Sequence, residues 1–115
     1  MLVIRNEQMD VLSDLPALEA PIRSHLREFF PLEMAGKSDQ FLNGFIRQGC
    51  AGARQYGIDD APGICKFIDL MVELGTGFDQ QPQFGWVRQI LRDHALGAPA
   101  QRLDRVAALV AAMQD

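Results

Sequence analysis

Apolar and polar positions along the chain recur at the three- and four-residue spacing of amphipathic helices, and no run alternates with the period of a strand. The pattern is strongest in DDAPGICKFIDLMVELGTGF, residues 59–78, where Ile64, Phe67, Ile68, Met71 and Leu74 share one face. Leu70 and Val72 widen that face, so the segment reads as a central helix contacted on several sides. Asp59 or Asp60 is placed to cap its start, Pro62 suits its first turn and Gly75 its end.

The other elements follow from the same spacing. Asn6 opens a first short helix with Met9, Val11 and Leu12 inward, behind an apolar arm at residues 1–4. A second helix starts at Pro16 and carries Leu18, Ile22, Leu26, Phe29 and Phe30, with a kink or a fresh start near Ala20 forced by Pro21. Pro31 ends it, and PLEMAGKS reads as a connection that turns at Gly36. Ser38 caps a third helix running to about Tyr56, with Phe41, Leu42, Phe45, Ile46, Gly49, Ala53 and Tyr56 on its inner face. Gly44, Gly49 and Gly52 each weaken that helix, which implies close approach by a neighbour or a site where something else packs. A fifth helix begins at Gln83 or Phe84 and carries Trp86, Val87, Ile90 and Leu91. A last helix from Pro99 to about Met113 aligns Leu103, Val106, Leu109, Val110 and Met113, with Arg102, Asp104 and Arg105 largely outside. The predicted architecture is all-α: one domain over residues 1–115, a compact irregular bundle of five or six short helices.

Composition narrows the function. A net charge of −4, with eleven basic residues scattered among fifteen acidic ones, gives no stripe to neutralise phosphates and excludes nucleic acid as a partner. No segment is long and apolar enough for a membrane span, and Arg5, Asn6 and Glu7 interrupt the apolar start before a signal peptide forms. Cys50 and Cys65 fall on separate helices and read as reduced packing residues, so a reducing cytoplasm is the expected compartment.

Chemistry is sparse. Asp69 and Glu73 lie four apart on the central helix, a spacing that serves acid–base work, a metal or simply a solvated flank. His25 and His94 are each isolated from a cysteine at zinc-ligand spacing, and no Glu-x-x-His pair is present. The Gly75-Thr76-Gly77 run follows a helix, whereas a phosphate-binding loop opens one. No catalytic residue, metal or cofactor is therefore expected, and the chain does not read as an enzyme. The loop at residues 75–86 is richer, with Phe78, Phe84 and Trp86 among glycines, Asp79 and Pro82. Either all three rings plug the core, or one or two stay exposed as interface anchors.

Three strings, VIRNEQMDVL, IRSHLREFFP and FIDLMVELGTGFDQQPQFGWVRQIL, together resemble small helical proteins encoded beside spike-tip and effector genes of bacterial type VI secretion systems. The similarity covers most of residues 3–91, and its most specific part is L-G-x-x-F-D-x-x-P-x-x-x-W, filled by Leu74, Gly75, Phe78, Asp79, Pro82 and Trp86. The resemblance implies a non-catalytic adaptor or co-chaperone that binds an effector, or the effector's adaptor, for loading onto the spike. Leu2, Ile4, Phe78, Phe84 and Trp86 are the expected protein-binding residues. The alternative is an immunity protein that blocks a basic toxin site with Asp59, Asp60, Asp69 and Glu73. A homodimer through the alanine-rich RVAALVAAM is also open.

Overall fold

The computed structural model describes residues 15–114, and side-chain surroundings for residues 17–113. The first short helix and the anchors Leu2 and Ile4 lie outside that range. Six helices follow: α1 Leu15–Phe29, α2 Pro31–Met34, α3 Asp39–Arg54, α4 Ala61–Leu74, α5 Gly85–Arg92 and α6 Pro99–Gln114, with no strand among the described residues. The all-α expectation is met. No helix among the described residues is long and apolar enough to cross a membrane.

The central segment is α4, which packs against α3, α6 and α1. Ile64, Phe67, Ile68, Leu70 and Met71 are all buried, and partly buried Val72 and Leu74 extend the core-facing side. Gly75 ends it at φ 104°, a conformation that favours glycine, and returns its N–H to the Met71 carbonyl. Asp60 holds the N-cap position without a side-chain cap hydrogen bond, so it supports the helix through charge at the dipole's positive end.

Pro21 does not divide the second predicted helix: α1 is one continuous element. The carbonyl that Pro21 leaves without its helical partner belongs to Ala17 on the exposed side, so no buried acceptor is stranded. The connection PLEMAGKS contains a helical turn, α2, with proline in its first turn. Ser38 Oγ accepts from the Phe41 N–H at 3.0 Å and starts α3 as the capping pattern predicts.

Glycines on α3 serve its contact with α4. A Cβ at Gly49 would drive into the Ile68 side chain, and one at Gly52 would lie 3.1 Å from the Phe67 ring. The expected close approach by a neighbour is thus found at Gly49 and Gly52, while Gly44 faces open space.

Four side chains of α3 and α6 are placed differently from the sequence reading. Phe41 is 52% exposed, because the first turn of α3 projects past its neighbours; its ring stacks on Phe45 and receives the Lys37 ammonium 5.1 Å from its centre. Arg102 is only 4% exposed: its Nη1 donates to the Leu91 carbonyl at 2.6 Å and caps the C-terminal end of α5. On α6 the buried positions are Leu103, Val106 and Val110, while Leu109 and Met113 are turned outward. That stripe is narrower than predicted because the neighbouring helices cover one edge of it.

Candidate protein-binding surface

The loop between α4 and α5 is built as a latch. Gly77 takes a left-handed conformation at φ 76°, and a short 3-10 turn at Phe78–Gln80 then swings Phe78 inward. Phe78 has no exposed surface and meets the Phe67 ring with 5.2 Å between centres. It is therefore not available as an interface anchor, and the expectation that placed it there is corrected. Asp79, also buried, accepts from the Tyr56 hydroxyl at 2.5 Å and from Gln80 Nε2 at 2.9 Å on the same oxygen. Gln80 Oε1 in turn accepts from Arg88 at 3.2 Å on α5. The F-D pair of the quoted string thus locks the loop to the end of α3.

Burial pushes the Tyr56 hydroxyl far above its usual value, helped by its hydrogen bond to Asp79 and by the aspartate's charge. The folded state therefore holds a proton that the unfolded chain releases near pH 10, and stability falls as pH rises beyond that point. Since Tyr56 is the sole tyrosine, its ultraviolet titration reports this directly: native protein is expected to show little tyrosinate at pH 10.5, and denatured protein roughly three-quarters of the full signal. Tyr56→Phe leaves Asp79 short of a donor and is expected to destabilise by about 1–3 kcal/mol in urea denaturation.

A second polar cluster joins α1 to α4. His25 Nε2 lies 2.8 and 3.0 Å from the two carboxylate oxygens of Asp69, and its ring packs on Phe29 at 4.8 Å. Cys65 stands one turn before Asp69 on α4. Burial pushes its thiol up to about 11, reinforced by the Asp69 charge, so it is protonated at neutral pH and is a poor nucleophile. Burial likewise raises the Asp69 carboxyl, and the His25 hydrogen bond opposes this. Asp69 is thus tied to a histidine and is not part of a free acidic flank. In the sequence His25 has no cysteine at zinc-ligand spacing; the crossing of α1 and α4 brings it to Asp69 and Cys65.

Concave regions are shallow. A cleft of about 620 Å³ between the end of α3 and the α5–α6 junction is lined by Gln55, Tyr56, Arg92, His94 and Arg102 among others, with no carboxylate.

The apolar surface is more distinctive. Trp86 on α5, with Leu109, Ala112 and Met113 on α6, lines an open groove of about 360 Å³. Leu109 is 41% and Met113 62% exposed, whereas Trp86 is half-buried, its body on the core and its edge in the groove. Phe84 is half-buried against the core. Residues 85–114 carry four arginines, of which Arg102 is buried, against two aspartates, so the segment has a positive formal charge on a chain whose net charge is −4. One of those aspartates, Asp104, is paired with Lys66 of α4. Further large apolar side chains lie exposed elsewhere, with Phe29 at 63% and Leu32 at 87%. Of the predicted anchors among the described residues, only Trp86 joins the groove. Leu109 and Met113 share the spacing of the buried stripe of α6, and the sequence carries no signal that marks them as uncovered.

This arrangement offers hydrophobic contact and charge complementarity. Comparison with protein-family models, with curated proteins and with solved structures finds no match for the chain.

Proposed function

We propose that this protein is a non-catalytic binding accessory, an adaptor or co-chaperone that helps load or stabilise a type VI secretion effector. The observation that carries the reading is the open groove of Trp86, Leu109, Ala112 and Met113 in a segment of positive formal charge on an otherwise acidic chain. An aromatic anchor beside flexible aliphatic and thioether side chains suits a helical segment laid into a groove. The positive formal charge of the segment that carries the groove favours a client helix that presents an apolar stripe with acidic flanks. The type VI context rests on the resemblance of the Leu74–Trp86 string and its two companions.

The test is pairwise co-expression with each spike-tip and effector protein of its own gene neighbourhood, followed by titration of any complex formed. Leu109→Asp with Met113→Asp is expected to weaken that complex by at least about 30-fold, the roughly 2 kcal/mol of interface anchors. Far-ultraviolet circular dichroism should remain unchanged, because both side chains are exposed. Undiminished binding by the double variant, or no complex with any of these proteins, overturns the proposal. Protection of cells from the toxin in a growth assay would also overturn it, in favour of an immunity role.

A further inference from the structure

We infer that His25, Cys65 and Asp69 form a binding site for a borderline-soft divalent transition-metal ion, zinc(II) or a close analogue. One ligand atom from each of the three side chains lies within 4.8 Å of the others. In a tetrahedral zinc site, bond lengths of about 2.0–2.3 Å place such donors roughly 3.3–3.7 Å apart. His25 and Asp69, at 2.8 Å, separate slightly to admit an ion between them, and Cys65 closes by about an ångström through side-chain rotation.

The scaffold makes this adjustment local. Cys65 and Asp69 are four residues apart on α4 and therefore project from one face on consecutive turns. His25 reaches them from the middle of α1 with Nε2 already directed at the carboxylate. All three are half-buried, so the donors are held by packing while a path to solvent remains. Three protein donors leave a fourth position of a tetrahedral ion to water.

The donor set selects the ion. One nitrogen, one sulfur and one oxygen suit zinc and cobalt, whereas magnesium and calcium require oxygen ligands throughout. Binding replaces the Cys65 S–H bond by a sulfur–metal bond and releases the proton to solvent, with no change in oxidation state. The ion's double charge overrides the burial and the Asp69 charge that keep this thiol protonated in the metal-free protein.

Cobalt(II) added to the reduced full-length protein tests the assignment. One equivalent is expected to give a near-ultraviolet thiolate-to-cobalt charge-transfer band and the visible bands of a tetrahedral centre, both abolished by one equivalent of zinc. Cys65→Ser should remove the charge-transfer band while Cys50→Ser retains it. His25→Ala and Asp69→Asn should each weaken cobalt binding by more than about tenfold. Circular dichroism of each variant separates loss of a ligand from loss of the fold, and zinc stoichiometry of the unmodified protein after dialysis gives an independent reading. Absence of the thiolate band at stoichiometric cobalt, a band that depends on Cys50, or less than half an equivalent of retained zinc would each sink the assignment.

Discussion

Phe78→Ala is expected to destabilise the protein by about 3–5 kcal/mol, read as a lower urea midpoint at unchanged slope. The ring is completely enclosed and sits against Phe67, which also touches Tyr56 at 6.2 Å between centres. Truncation removes the transfer free energy of the ring and leaves a cavity that the α4–α5 loop cannot fill without breaking the Tyr56–Asp79 hydrogen bond. Natural domains have only about 5–15 kcal/mol in total, so the variant should be partly unfolded at physiological temperature. A loss smaller than about 1 kcal/mol would mean that the loop is not anchored as described. Weaker client binding by this variant would then report unfolding, which distinguishes it from the surface substitutions on α6.

Two glycines of one helix should respond with opposite signs. Gly49→Leu is expected to cost about 3 kcal/mol or more, because even the first added carbon would press on Ile68 and lie 3.1 Å from Met71 Sδ. Both neighbours are buried and have nowhere to move. Gly44→Ala meets nothing within 4 Å and should stabilise by about 0.5–1 kcal/mol through helix propensity and a restricted unfolded chain. Thermal denaturation of the two variants side by side decides the matter. Equal shifts would remove the claim that α3 and α4 touch through glycine.

These residues also show how far the amino-acid pattern reaches. Ser38, Pro31 and Gly75 set their helix boundaries through local backbone chemistry, and all three were legible one segment at a time. Gly49 and Gly52 announced a close neighbour without naming it. What periodicity cannot specify is how much of an apolar stripe the neighbouring helices cover. Phe41, Leu109 and Met113 obey the spacing of buried positions yet stand at the ends or edges of their helices, past the reach of the core. Arg102 errs in the other direction, since the carbonyl that draws it inward belongs to a different helix. The candidate sites were harder still. Trp86 was recognisable as an aromatic anchor in a turn-rich segment, but its partners in the groove come from α6. The His25–Asp69 contact spans 44 positions and depends on a helix crossing that no local pattern encodes.

Trp86 is the sole tryptophan of the chain, and it stands half-sheltered at the wall of the groove. Its indole emission is therefore an intrinsic optical probe of that location, sensitive to whether water or hydrocarbon borders the ring. Seating of an apolar segment there would shift the spectrum to shorter wavelength with no dye attached.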